Sequence, residues 1–192
     1  GGEGYRTLPH HRRDGGGIIV SSQYEDKYIM IGDPKITLHL EKLSMGIRTI
    51  APFKGMFAVR DELLKELRVW VRKHDIAEAG PYFLRYHVID MNGQMDIEVG
   101  YIVTKHLPGD NRVTPGVLPG GNYASLIYSR YAMQANKTLI AWAKENEVSW
   151  DRWDSATGDA FRCRYEAYLT DYRIEPKKKE WQVELAIKVA DN

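Results

Sequence analysis

One short run of this 192-residue chain concentrates side chains able to do chemistry. Arg162, Arg164, Glu166 and Tyr168 fall at alternate positions, so on an extended strand they share one face. A carboxylate beside a phenol has two functional uses. Among aromatic rings it offers charge to a bound cation, and each ring face adds cation–π attraction of about 0.5–2 kcal/mol. With its pKa raised by an apolar cavity, it takes a proton from water while a tyrosine donates to a developing oxyanion. The arginines in phase with Glu166 offer a third role, a plain salt bridge. Elsewhere the chemistry is thinner. The six histidines are scattered without helical metal-ligand spacing, and the glycine runs match neither phosphate-binding pattern, so no metal or cofactor is expected. Cys163 alternates with the Glu166 set and reads as a buried, inert thiol.

Composition narrows the class further. A net charge of +1 gives no electrostatic case for direct nucleic-acid binding. No apolar run approaches transmembrane length, and residues 1–13 lack the apolar stretch of a signal peptide, so no membrane partner is expected. A single cysteine excludes an internal disulfide and fits a reducing cytoplasm, the expected location.

The elements that must position Glu166 follow from periodicity. Residues 1–33 read as a glycine-rich arm carrying the cluster His10-His11-Arg12-Arg13, with a short strand over Tyr28–Ile31 near its end. From residue 34 the pattern sharpens. Ile36, Leu38 and Leu40 alternate with polar residues, and Ile47–Phe53 is extended. Arg60–Lys73 reads as a helix with Leu63, Leu64, Leu67, Trp70 and Val71 on one stripe and charges opposite. Gly80-Pro81 ends that pattern, and the strands Tyr82–Ile89 and Met95–Val103 flank the hairpin signal Asn92-Gly93. The order then recurs. Val113–Leu118 and Asn122–Tyr128 are extended, Tyr131–Lys144 is helical, a tryptophan- and aspartate-rich loop follows, and Ala160–Leu169 and Trp181–Val189 are strands.

Laid over each other, the halves match Trp70 with Trp142, Tyr86-His87 with Tyr165-Glu166, and Glu98 with Glu184. The two intervening intervals are each longer in the second half by the same seven residues. Repeat one thus covers about 34–106 and repeat two about 107–192. The apolar set Phe161, Cys163, Tyr165, Ala167 and Leu169 is expected to pack on the helix, sending Glu166 and Tyr168 to the opposite side of the sheet. From alternation alone, an ordinary solvent face is favoured there over a lined cleft.

A resemblance shifts that balance. Residues 35–189 resemble the GyrI-like small-molecule-binding family, the effector-binding domain of bacterial transcription activators. It is carried by the duplicated order, by Gly80-Pro81 and Asp96-Ile97-Glu98-Val99-Gly100, and most specifically by Arg164 to Asp171 with Glu175-Pro176 and Trp181 to Glu184. The resemblance implies an α+β fold of two pseudo-symmetric βαββ repeats, with antiparallel sheets forming a concave ligand groove and helices on the outside. It implies an aromatic cleft that captures hydrophobic or aromatic, often cationic, xenobiotics, with Glu166 meeting the ligand. The ligand-binding set is Glu166, Tyr168, His87, Glu98, Glu184, Arg164, Tyr128 and Phe53. Regulators of this family carry a helix-turn-helix domain before the cavity. The glycine-rich arm is too short for one, so a stand-alone member is expected. Some stand-alone members hydrolyse cyclopropane-bearing DNA alkylators. In that alternative Glu166 is the base and Tyr168 its catalytic partner. A protein-interaction module, as in members proposed to act on gyrase, is the second alternative.

Overall fold

The computed structural model describes residues 30–76 and 78–191. Most of the glycine-rich arm, including the His10–Arg13 cluster, lies outside the described residues. Eleven strands and two helices follow one another as β1 (Met30–Ile31), β2 (Lys35–His39), β3 (Lys42–Pro52), α1 (Met56–Lys73), β4 (Tyr82–Ile89), β5 (Gln94–Val103), β6 (Thr114–Leu118), β7 (Gly121–Ser129), α2 (Ala132–Glu145), β8 (Arg152–Ser155), β9 (Gly158–Phe161), β10 (Arg164–Tyr168) and β11 (Val183–Lys188). The fold is α+β, with every strand pair antiparallel.

The strands form one sheet in the order β1-β7-β11-β10-β4-β5-β3-β6, with β2 also on β7 and the β8–β9 hairpin attached to β4. The two repeats meet at the β4–β10 pair. Each repeat sends its leading strand to the far edge of the other: β2 pairs with β7, and β6 pairs with β3. The expected loop between α2 and β10 is instead the β8–β9 hairpin, and the strand expected over Ala160–Leu169 is broken at Arg162-Cys163.

The sheet rolls away from the helices. His39 on β2 and the Tyr165 hydroxyl on β10 are 3.2 Å apart although two strands separate them. On the other side, Arg85 of β4 donates to the Val117 carbonyl of β6, again across two strands. In a flat sheet such partners stand about 14 Å apart. Phe83, Tyr123, Cys163, Tyr165, Ala167 and Ala186 fill the inside of this roll. The helices lie outside it, α1 on β3 and β5, α2 on β7. Leu63, Leu64, Leu67, Trp70 and Val71 of α1 are buried, as their spacing predicts, and α2 buries Ala135, Leu139 and Ala143. Burying a leucine such as Leu67 fully is worth about 1.5–3 kcal/mol. Because the helices cover the flanks, the central strands β4 and β10 run between them. Among the described residues no helix is long and apolar enough to cross a membrane.

Candidate functional site: a buried carboxylate beside an aromatic cavity

Glu166 sits at the centre of the sheet, with Leu84 and Leu185 as its neighbours on the adjoining strands. It faces the helices, reversing the expected orientation. Tyr168 belongs to the apolar core that includes both helices, whereas Cys163, Tyr165 and Ala167 point into the roll. The reason is physical. Both faces of β10 are buried, so apolarity cannot say which of them meets a helix. The register corrects the repeat alignment as well. Glu98 pairs with Arg85, and Glu184 pairs with Ala167. Keeping these glutamates equivalent makes Tyr86 the counterpart of Tyr168 and Leu84 the counterpart of Glu166. The sequence alignment was off by three residues, an odd slip that turns every side chain to the wrong face.

Both repeats and both helices contribute to the surroundings of Glu166, which is 4% exposed. From β4, the Tyr86 hydroxyl donates to Glu166 Oε1 at 3.3 Å. On α1, the Arg60 guanidinium lies 6.0 Å from the Tyr168 ring, over which it is placed, and is paired with Asp61. From α2, Asn136 accepts a hydrogen bond from Arg164, whose guanidinium also lies over Phe161 at 4.9 Å. Burial pushes the Glu166 carboxyl above the ordinary carboxylate range; Arg60, the Tyr86 hydroxyl and Arg164 pull the other way. Burial and then the Glu166 charge push the Tyr86 and Tyr128 hydroxyls up. Arg164 is lowered, chiefly by burial. Burial thus shifts the balance toward the neutral carboxyl, and the two nearby arginines shift it back toward the charged form.

Tyr168 connects this cluster to a cavity of about 750 Å³. The cavity lies between the C-terminal half of α1, the Gly80-Pro81 start of β4, and the long connection from β10 to β11. Its walls are aromatic: Tyr82, Tyr101, Tyr168, Tyr172 and Trp181. Tyr168 meets Trp181 edge-on at 5.5 Å, and Tyr82 meets Tyr101 at 4.4 Å. Two lining side chains carry buried polar atoms without a close hydrogen-bond partner: Arg68 Nε, and the Tyr168 hydroxyl, on which the Arg60 guanidinium acts. Folded proteins leave few such atoms unpaired, since each costs about 1–3 kcal/mol.

Of the residues expected to bind ligand, Glu166, Tyr168, Arg164 and Tyr128 come together. The others do not join them. His87 lies 2.8 Å from Glu98, a pairing on the sheet's other face. The charge of Glu184 acts on His39 and Tyr165, also inside the roll. Phe53 packs against the apolar core at the end of β3. Sequence reasoning missed Tyr86, Arg60 and the cavity wall of Arg68, Tyr82, Tyr172 and Trp181. One signal was present: Arg60, Leu64 and Arg68 recur every four residues, which places both arginines on one helical face at the border of the apolar stripe.

No family model and no curated protein matches the sequence. Solved structures do match. The EcmrR C-terminal domain is 16% identical with a TM-score of 0.59, covering 85% of this chain and 100% of that one. Against EcmrR in its complex with DNA the TM-score is 0.64 at 16% identity. That match covers 83% of this chain and 58% of that chain, so this chain spans little more than half of that protein. SAV2435 bound to tetraphenylphosphonium is 8% identical, with a TM-score of 0.55 over 82% of this chain and 94% of that one. A hydrolase from Listeria innocua gives 0.54 at 12% identity, over 82% and 91%. At such identities the likeness is one of fold: the chain has the fold of the EcmrR C-terminal domain and of SAV2435.

Proposed function

We propose that this domain binds hydrophobic, ring-bearing small molecules, of the xenobiotic kind, in the cavity walled by Tyr82, Tyr168, Tyr172 and Trp181. The observation that carries this reading is a concave wall of five aromatic side chains with the Arg68 guanidinium set among them. A cavity of this size and lining, with a few convergent polar groups, is the ordinary form of a small-molecule site. The tetraphenylphosphonium in SAV2435, a protein of the same fold, supports it. Glu166 lies beside Tyr168 on the same face of β10, outside the lining of the cavity. The single buried thiol, Cys163, suits work in the cytoplasm.

The test is a titration of the protein with aromatic dyes, read by quenching of tryptophan fluorescence with Trp181→Phe as control. One dye per chain, lost in Tyr168→Ala, is the expected outcome. An absence of saturable quenching across the panel overturns the reading.

A second reading, hydrolysis of a cyclopropane-bearing alkylator, draws on one observation: a carboxyl with raised pKa within reach of a tyrosine hydroxyl. Such a group is suited to general-base work once water reaches it. Ring-opened product from the wild type and none from Glu166→Gln supports hydrolysis. Stoichiometric binding without product removes it.

A further inference from the structure

Arg68 gives the cavity a charge preference. We infer that the cavity takes aromatic anions, and that Arg68 is the residue that meets the negative charge. This rests on the binding function proposed above and names its ligand class.

The Arg68 guanidinium lies 3.8 Å from the centre of the Tyr172 ring and 5.7 Å from that of Tyr82. Stacking of this kind occupies the flat faces of the group and leaves its edge for hydrogen bonds in the plane. A guanidinium has five donors and no acceptor of its own. Here Nε is buried without a partner, and among the described residues no carboxylate forms an ion pair with Arg68. Three acids, Asp75, Glu78 and Asp171, also line the cavity, and none of them pairs with Arg68. Asp171 is engaged by Arg173 through contacts of 2.8–3.2 Å, while Asp75 and Glu78 are exposed. Arg72, equally exposed, offsets one of these two acids on the same wall.

A carboxylate or sulfonate entering the cavity meets the Nη edge of the guanidinium, which is not buried as Nε is and donates in the plane of the group. Its rings find the remaining aromatic wall. A cation meets the opposite situation. The Tyr172 face best placed to hold it already carries Arg68, and the like charge repels it. Glu166 does not reverse the preference, because it is buried and does not line the cavity.

Tetraphenylborate and tetraphenylphosphonium have nearly the same shape and opposite charge, so titrating both by calorimetry isolates the sign. Tetraphenylborate is expected to bind at least about tenfold more tightly. Arg68→Met should bring the two within about twofold, while Arg68→Lys keeps the order of preference. Circular dichroism verifies that both variants are folded. Phosphonium binding as tightly as borate in the wild type overturns the inference and leaves the binding function standing. A borate preference unchanged in Arg68→Met overturns the assignment to Arg68. Failure of both ions to bind removes the cavity as a site for aromatic ions, and the inference with it.

Discussion

The two halves of the sheet share strand order, helix placement and register, and they differ where their centres meet. On one side of the β4–β10 pair stands Leu84, fully buried and apolar. Directly across from it, at the equivalent position of the second half, stands Glu166. The tyrosines two residues further on, Tyr86 and Tyr168, diverge in the same way. Tyr86 donates to the carboxyl, while the Tyr168 hydroxyl has no close partner and answers only to Arg60. The connections differ too. The first half turns from β4 to β5 through the tight Asp90–Gly93 turn. The second half takes a long path from β10 to β11, whose residues 169–173 and Trp181 wall the cavity. The first repeat gives the cavity its α1 wall and the start of β4, and the second gives it the long connection and the polar centre beside it.

The comparison is broken most severely by making the halves alike in charge. Leu84→Glu sets a second carboxylate opposite Glu166 with no added cation, and should destabilise the fold by about 3–5 kcal/mol in urea unfolding. The two tyrosines give the next largest contrast. Tyr86→Phe removes a hydrogen bond to a chargeable group and should cost about 1.5–3 kcal/mol. Tyr168→Phe removes only the looser contact of that hydroxyl with Arg60 and should cost less than about 1 kcal/mol. Equal losses in both would erase the asymmetry.

Glu166→Gln should stabilise the protein by about 1 kcal/mol near neutral pH. The sign follows from linkage. The folded carboxyl holds its proton to higher pH than the unfolded one, so the wild type loses stability as pH rises through the unfolded value, and the loss is complete above the folded one. The gain from the substitution should therefore shrink toward low pH and vanish below the ordinary carboxylate range. A gain independent of pH contradicts the raised pKa. The smallest effect belongs to His87→Gln. Facing Glu98 inside the roll, His87 should leave aromatic-ion binding unchanged in the calorimetric titration, and a loss there would restore it to the site.

Much of the architecture was legible in the residues. Period-two strands, the Leu63–Val71 stripe of α1, the Asn92-Gly93 turn and the repeated order all stand in the structure close to their expected bounds. Glu166, Tyr168, Arg164 and Tyr128 were also singled out, and they do meet. What stayed hidden was orientation. Alternation separates two faces without naming them, and where a rolled sheet buries both, Phe83 and Tyr165 look as core-like as Leu84 and Tyr86. The cavity wall was hidden for another reason. Arg68, Tyr82, Tyr172 and Trp181 come from three separate segments, joined only by the way the β10–β11 connection passes over α1. The β8–β9 hairpin escaped because its strands are only four residues long and rich in charge.

The crossed placement of β2 and β6 has a consequence for how the molecule comes apart. Each half carries the strand that seals the other's exposed border. A fragment ending before β6 therefore bares β3, and one beginning after β2 bares β7. Gene fission between the repeats would yield two sticky pieces in place of two small domains. In the intact chain the same crossing acts as a mutual latch: neither repeat loosens without releasing the other, so the pair should melt as one cooperative unit.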